Sequence, residues 1–236
     1  DMTPLNQNLV ATVGTFVYVK LLVGLCEGLV HQKILSSKIS RKIIHVGAGS
    51  WILFWPLFDN RHWTWCLNVS MPVVYAIQLS IKGLILQNPN DPDVITMSRS
   101  GNPIELCKGP LFFTLVMTAC GLFLFMKEEG IYIMGCLGFG DGLAPLFGGY
   151  FPLYPYRTFP FGSGDYKTVS GSFGFLVSSF VGITVLRTII LSDGTSWNDL
   201  GKTFSISFVA AVVEGVSGWL DNIFIAGSVF LTLKWW

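Results

Sequence analysis

One acidic side chain stands inside a stretch of sequence that is otherwise apolar. Asp141 lies within residues 130–150, a run long enough to cross a lipid bilayer. A carboxylate deep in such a segment costs about 2.5–3.5 kcal/mol on insertion scales, so by default it marks a functional site. The flanking Gly140 and Gly142 predict that backbone or a ligand comes close to this carboxylate.

A basic, hydroxyl-rich segment follows Asp141 at the start of the next apolar run. It contains Lys167, Thr168, Gly171 and Ser172. A lysine ammonium and the amides of a helix start suit phosphate oxygens, and a carboxylate is a ligand that magnesium prefers. Together these residues predict phosphate and metal chemistry at a membrane surface. The structural alternative is that Asp141 pairs with a lysine to hold two helices together.

Two candidate groups precede Asp141 in the chain. Arg41, Lys42 and His45 begin one apolar run, and the spacing of Arg41 and His45 places them on one helix face. Arginine and lysine suit phosphate, but a positively charged membrane anchor is the competing interpretation. Glu105 and Lys108 form either a surface ion pair or, beside a helix start, a metal or phosphate contact.

A last group follows near the end of the chain. Glu214 and Asp221 are seven residues apart, so an unbroken helix would carry both on one face. They could complete a metal site or supply a general base, whereas Asn222 could cap the last helix. Lys20 and Glu27, in the first apolar run, either pair or line a polar path, and their role is left open.

Composition places the chain outside the soluble class. Of its 236 residues 51% are hydrophobic and only 12% are charged, against about 25% charged in soluble domains. This predicts an all-α, polytopic membrane helix bundle. The net charge of +1 gives no basic field for nucleic acid. The five cysteines form no C-x-x-C pair, which argues against a disulfide framework and a zinc site.

Hydrophobicity predicts about seven to eight transmembrane helices in a single integral-membrane domain over residues 1–236. The second and eighth segments are short, and the final two could join as one broken helix. Because the chain begins with Asp1 and not with methionine, we expect an N-terminal targeting segment to be missing. The apolar segments cover residues 8–30, 43–58, 63–86, 109–126, 131–150, 171–191, 203–220 and 222–236.

The loops between these segments differ in charge. Loops 31–42, 87–108 and 151–167 hold eight lysines and arginines, and loops 59–62, 127–130 and 192–202 hold three. The positive-inside bias predicts that the first set faces the cytoplasm or stroma, with both chain termini on the other side. Loop 151–167 is rich in proline and aromatic residues, which predicts a position at the headgroup level.

In order and spacing, these motifs resemble the polyprenol kinase family, which includes phytol, farnesol and dolichol kinases. The block that begins at Glu105 is most similar to the plant and algal phytol and farnesol kinase branch. The matching pieces cover most of the chain: Arg41-Lys42-x-x-His45, Glu105-Leu-Cys-Lys-Gly-Pro, Gly140-Asp141-Gly142, Lys167-Thr-x-x-Gly171-Ser172, and Glu214 with Asp221-Asn222.

The resemblance implies a membrane lipid kinase. It would transfer a phosphoryl group from CTP, or another nucleoside triphosphate, to an isoprenoid alcohol such as phytol, farnesol or geranylgeraniol, with Mg²⁺ or another divalent cation. A plastid membrane is the expected location, with the endoplasmic reticulum as the alternative. The implied roles are catalytic for Asp141, Lys167, His45 and Glu214, nucleotide binding for Arg41, Lys42, Lys108, Thr168, Gly171 and Ser172, metal binding for Asp141, Glu105 and Asp221, and supporting for Gly140, Gly142 and Asn222.

One departure from the family pattern keeps the substrates open. The family's Gly-Asp-Gly block usually continues to an acidic residue and a Gly-Arg-Arg turn, where this chain has Pro145 and Gly148-Gly149-Tyr150. An alternative is a membrane cytidylyltransferase that makes a CDP-lipid and releases pyrophosphate. An alternative of another class is an ion- or proton-coupled transporter that uses Asp141 and Glu214. The sequence predicts no oligomeric state.

Overall fold

The computed structural model describes residues 2–158, 166–192, 196–218 and 220–236. In these ranges the chain forms helices and one small β-hairpin, so the predicted all-α class is confirmed. The chain divides into two compact units, Asp1–Phe125 and Met126–Trp236. A single kinase domain over residues 1–236 stays a prediction. Much of the proline- and aromatic-rich loop, residues 159–165, lies outside the described residues.

The first unit begins with a helix that is apolar on nearly every side. Its start is capped by Thr3, whose side chain accepts a hydrogen bond from the amide of Asn6, and Pro4 stands at the first helical position, where its missing N–H costs nothing. Large side chains such as Val13 and Leu25 are exposed along it, as expected of a lipid-facing helix. The α-helices of this unit are α1 Pro4–His31, α2 Ser37–Gly49, α3 Ser70–Ser80, α4 Pro92–Met97 and α5 Gly109–Phe123.

Tighter and wider helical turns extend several of these helices. A 3₁₀ segment, Ser50–Leu57, continues α2 and contains Pro56, which cannot donate a backbone hydrogen bond. The other 3₁₀ segments are Trp63–Val69 before α3 and Pro103–Cys107 before α5, and a π segment, Ile81–Leu86, follows α3. The apolar segment predicted at 63–86 is therefore one continuous helical run of three types.

The second unit contains five helices and the hairpin. The hairpin strands β1 and β2 are antiparallel, with Tyr156 opposite Lys167; the sequence did not predict them. Helix α9 starts with a capping box in which Ser196 and Asp199 bond each other's backbone amides. The elements are α6 Glu128–Met134, a π segment Gly135–Asp141, α7 Gly142–Tyr150, β1 Pro155–Arg157, β2 Tyr166–Thr168, α8 Val169–Ile190, α9 Trp197–Val216 and α10 Asp221–Leu233.

Five helical runs among the described residues are long and apolar enough to cross a membrane. The predicted segment 43–58 corresponds to α2 with its 3₁₀ continuation, 203–220 to α9, and 222–236 to the shorter apolar α10. Of the five runs, Glu128–Tyr150 is 72% buried over its apolar stretch, against 28–44% for the others, which makes it the central helix of the second unit. The five are Pro4–His31, Trp63–Leu86, Pro103–Phe123, Glu128–Tyr150 and Val169–Ile190.

Candidate active site

Asp141 is the last residue of the π segment in the central helix of the second unit. Its exposed fraction is only 8%, so the carboxylate is buried as the sequence predicts. The helix begins as α6, widens into the π segment Gly135–Asp141 and continues as α7. Short π segments inside α-helices are frequent at functional sites, because they change the direction of the following side chains.

The glycines beside Asp141 have a packing role. A Cβ added to Gly140 would lie 2.9 Å from the ring of Phe175 on α8. A Cβ on Gly174 would lie 2.5 Å from Phe147, and one on Gly182 would lie 2.7 Å from Phe139. A glycine of the central helix thus lies against an aromatic ring of α8, and glycines of α8 lie against aromatic rings of the central helix. Small residues allow membrane helices to pack closely in this way. The group that lies close to Gly140 is therefore the Phe175 side chain of α8 and not its backbone, and an approach by a ligand stays a prediction.

The start of α8 is fixed by hydroxyl groups. Thr168 caps the helix, and its side-chain oxygen accepts a hydrogen bond from the amide of Gly171 at 3.1 Å. Ser170 donates to the carbonyl of Phe151 and accepts from the amide of Leu153 at 3.2 Å. Predicted phosphate ligands therefore also hold the helix start in place. Because the positive end of a helix dipole and its unpaired amides attract anions, this position remains suited to phosphate.

Lys167 and Glu214 form a clamp between the hairpin and the end of α9. The Lys167 Nζ donates to Glu214 Oε1 at 2.6 Å and also to the backbone carbonyl of Glu214. The Glu214 side chain is 8% exposed and that of Lys167 is 22% exposed. These hydrogen bonds use two of the three donors of the ammonium. The alternative that Asp141 pairs with a lysine to hold two helices together stays a prediction.

Asp141 and Asp221 complete the charged group around this clamp. Both carboxylates lie close enough to act electrostatically on Glu214, together with the opposing charge of Lys167. Helix α9 ends at Val216 and α10 begins at Asp221, so the predicted shared helix face is broken, but the charge of Asp221 still acts on Glu214. Asp221 Oδ1 accepts from the amide of Asn222 at 2.8 Å, and Asn222 is only 3% exposed.

The carboxylates of the second unit suit a divalent cation only together with a substrate. Among the described residues, no group of three or more histidine, cysteine, aspartate or glutamate side chains is arranged to hold a metal ion. Magnesium commonly takes one or two carboxylates and completes its shell with water and substrate phosphates. Asp141 and Asp221 fit that pattern, and their role as metal ligands stays a prediction.

Tyr156 belongs to this site and was missed from the sequence. Its hydroxyl lies 2.7 Å from the Ser172 hydroxyl. A Cβ on Gly215 would lie 2.8 Å from the same tyrosine oxygen, so the ring fits against the end of α9 because residue 215 has no side chain. As Tyr156 pairs with Lys167 across the hairpin, it holds the strand that carries the clamp lysine. Only the strand pairing, which the sequence did not predict, identifies this tyrosine.

The three basic residues predicted near position 41 lie on α2 of the first unit. Lys42 is 8% exposed, which is unusual for a surface anchor. The His45 ring stacks on Phe113 of α5, with 4.0 Å between ring centroids and 25° between planes. The stack fixes the orientation of the imidazole. Ser36 caps α2, its side chain accepting from the amide of Ile39.

Glu105 has a structural role within the first unit. Its carboxylate accepts from the amides of Arg99 and Ser100 and, at 3.0 Å, from the Ser100 hydroxyl. These bonds hold the Glu105 carboxylate and close the loop before α5. Pro110 stands in the first turn of α5, as predicted, and Lys108 is exposed immediately before it. A metal-binding role for Glu105 would compete with its loop contacts.

Comparison with known proteins gives several plant relatives. The chain is 29% identical over 221 residues to "Probable phytol kinase 1, chloroplastic" of Glycine max, covering 90% of this chain and 70% of the relative. It is 30% identical over 204 residues to "Probable phytol kinase, chloroplastic" of Zea mays, covering 83% and 64%. With "Farnesol kinase, chloroplastic" of Arabidopsis thaliana the identity is 26% over 188 residues, covering 78% and 59%.

The chain thus spans about two thirds of the length of the curated relatives that it matches. No family model and no solved structure matches it. The similarity nevertheless runs through most of the chain. By sequence, the chain is therefore similar to plant proteins named phytol kinase and farnesol kinase, and the resemblance that its motifs predicted is confirmed.

Proposed function

We propose that this protein is a membrane-embedded kinase that transfers a phosphoryl group to the hydroxyl of an isoprenoid alcohol. The observation that carries the proposal is the buried charged group of Asp141, Lys167, Glu214 and Asp221, in a chain whose relatives are named phytol kinase and farnesol kinase. Intramembrane ionisable residues are expensive and mark function. Phytol, farnesol and geranylgeraniol are the proposed acceptors, and a plastid membrane is the proposed location, because those relatives are named chloroplastic.

The start of α8 and the hairpin are the proposed nucleotide-binding elements. The amides at the beginning of α8 and the remaining N–H of Lys167 point to the same function, which is to neutralise phosphate oxygens. Glu214 then acts as a positioning residue, since it holds the ammonium through two hydrogen bonds. CTP is the proposed donor, with another nucleoside triphosphate as the alternative.

Mg²⁺ is the proposed cofactor, with Asp141 and Asp221 as the residues that would hold it. When bound, it would neutralise charge on the phosphates. The chain's own residues align the reactants and exclude water, since phosphoryl transfer depends more on positioning and charge neutralisation than on covalent assistance. The alcohol oxygen forms a bond to the γ-phosphorus as the bond to the bridging oxygen breaks. A carboxylate of the site accepts the alcohol's proton.

A direct assay tests the proposal. Membranes containing the chain are incubated with γ-labelled CTP or ATP and with phytol, farnesol, geranylgeraniol or dolichol in turn. Transfer of label to one of these alcohols is expected, with a nucleoside diphosphate as the second product. Transfer to none of them would contradict the kinase proposal, and release of pyrophosphate with formation of a CDP-lipid would identify a cytidylyltransferase instead.

A further inference from the structure

A second group of buried polar side chains lies inside the first unit. Its centre is Lys82, whose Nζ donates to Asp91 Oδ1 at 2.8 Å and to Asp93 Oδ2 at 2.6 Å. Gln78 donates to the same Asp93 oxygen at 2.7 Å. Asp93 is 3% exposed. These contacts bring the acidic loop before α4 against the end of α3, which the sequence did not predict.

The group continues into the membrane-spanning part of the unit. Tyr75, Gln78 and Lys82 are spaced by three and four residues, so they lie on one face of α3 and its π extension. On α1, Lys20 and Glu27 share a face with the buried Val23. The Lys20 ammonium lies over the Tyr75 ring, 5.1 Å from its centroid. The two helix faces therefore meet and form a polar track from the loop into the bundle.

The track is about two helical turns deep. Tyr75 precedes Lys82 by seven residues, which corresponds to roughly 10 Å along a helix axis. At the loop end the charges are paired, because Lys82 neutralises Asp91 and Asp93. At the deep end is Tyr75, which is only 5% exposed. Its hydroxyl oxygen is buried and has no hydrogen-bond partner in the structure.

Unused hydrogen-bonding capacity at the deep end indicates a ligand. A buried hydroxyl without a partner costs about 1–3 kcal/mol, so such groups are normally satisfied by a bound group. Glu27 lies nearby: it is half-buried and within electrostatic range of Tyr75, Asp93, Lys82 and Lys20. Tyr75 offers a donor and Glu27 an acceptor on the same track.

The charges of the track select the ligand's chemistry. Glu27, Asp91 and Asp93 outnumber Lys20 and Lys82, which disfavours a phosphate or another anion. A metal ion is disfavoured because the described residues contain no metal-holding group of three such side chains, and Lys82 occupies the aspartates. The ligand class that remains is one with a neutral polar group that both donates and accepts hydrogen bonds. A hydroxyl group has both capacities.

The residues around the track favour a ligand in which this polar group is attached to an apolar chain. Lys20 is exposed on α1, and the neighbouring Leu21 is 61% exposed, so this side of the track faces lipid. On α3, Ile77 and Ile81 are 56% and 41% exposed. A ligand that enters from lipid can leave its chain against these residues and place its head between the helices.

We propose that the polar track between α1 and α3 binds the hydroxyl end of a long-chain primary alcohol, with the Tyr75 hydroxyl and the Glu27 carboxylate as its hydrogen-bond partners. This goes beyond the proposed function, on which it rests for the class of ligand, because it assigns a separate site within the first unit that binds the alcohol. The track recognises the alcohol and carries out no bond-breaking step.

Equilibrium binding tests this assignment separately from catalysis. The whole chain is placed in nanodiscs of phosphatidylcholine, and binding of tritiated farnesol is measured in competition with farnesol or with the hydrocarbon farnesene. We expect farnesol to compete better than farnesene. Tyr75→Phe should weaken farnesol binding by about three- to tenfold, the range for one neutral hydrogen bond, and reduce the preference over farnesene.

Further variants separate the possible outcomes. Glu27→Gln should weaken binding similarly, whereas Tyr154→Phe, at a tyrosine that is 76% exposed, should leave it unchanged. Asp141→Asn should bind farnesol normally even where it transfers no phosphate. If Tyr75→Phe and Glu27→Gln both bind like the unmodified chain, the track is a structural polar cluster and the proposal fails. Absence of kinase activity with hydroxyl-selective binding would contradict the proposed function alone.

Discussion

The clamp between Lys167 and Glu214 predicts unequal effects when either partner is changed. Lys167→Met leaves the buried Glu214 without its cation and close to the charges of Asp141 and Asp221. Removing one partner of a buried ion pair costs about 3–5 kcal/mol, because the other charge stays buried. Glu214→Gln keeps an amide oxygen and the backbone carbonyl as acceptors for Lys167 and removes one of three like charges. We therefore expect a loss of about 1–2 kcal/mol, the low end for a hydrogen bond to a charged group.

A double variant makes this expectation stricter. Lys167→Met combined with Glu214→Leu removes both charges and fills the space with apolar atoms, an exchange that is often neutral for a buried pair. The double variant should therefore be more stable than Lys167→Met alone. Thermal unfolding of the purified chain in detergent measures all three, with Lys38→Met, at an exposed lysine, as the matched control.

Activity should follow a different order from stability. Loss of the Lys167 ammonium is expected to lower kcat/KM for the nucleotide by about 10²–10³-fold, the usual effect of removing one group that stabilises developing charge. The double variant should stay as inactive as Lys167→Met although its stability recovers. Glu214→Gln should lose about tenfold, because Lys167 remains but is held less firmly.

Two results would refute this reasoning. If the double variant is no more stable than Lys167→Met alone, the pair is not an isolated buried clamp. If Glu214→Gln is folded but as inactive as Asp141→Asn, Glu214 takes part in the chemistry itself and is no mere positioning residue.

Three further predictions concern the same unit. Asp141→Asn should lower phosphoryl transfer by at least about 10²-fold while the chain still folds in membranes, and near-normal turnover would falsify the kinase mechanism. Tyr156→Phe should raise the KM for nucleotide by about three- to tenfold, since the hairpin loses its bond to α8, whereas Tyr154→Phe should not; equal values would remove Tyr156 from the site. Gly182→Leu should lower the free energy of unfolding by roughly 1–3 kcal/mol through overpacking, and with it the unfolding temperature. Gly201→Ala, which has nothing within 4 Å, should not lower it, and an equal loss in both variants would contradict the packing argument.

The sequence determined the class of this protein and the position of its most informative acid. Apolar runs long enough to span a membrane can be read from the sequence alone. They place Asp141 inside such a run, where a charge is costly and therefore indicates a functional site. The order of the motifs also predicted the similarity to phytol and farnesol kinases before any contact was known. Local patterns give these results because both the length of a membrane span and the residues of a motif are properties of short stretches.

Only the tertiary structure decided which side chains meet. Lys167 is bonded to Glu214, 47 residues away, because the hairpin and the end of α9 are brought together by packing that no local pattern encodes. The same is true of Tyr156, whose place depends on strand pairing and on the missing side chain of Gly215. Helix periodicity fixes what shares a face within one element, but contacts between elements depend on how their surfaces fit.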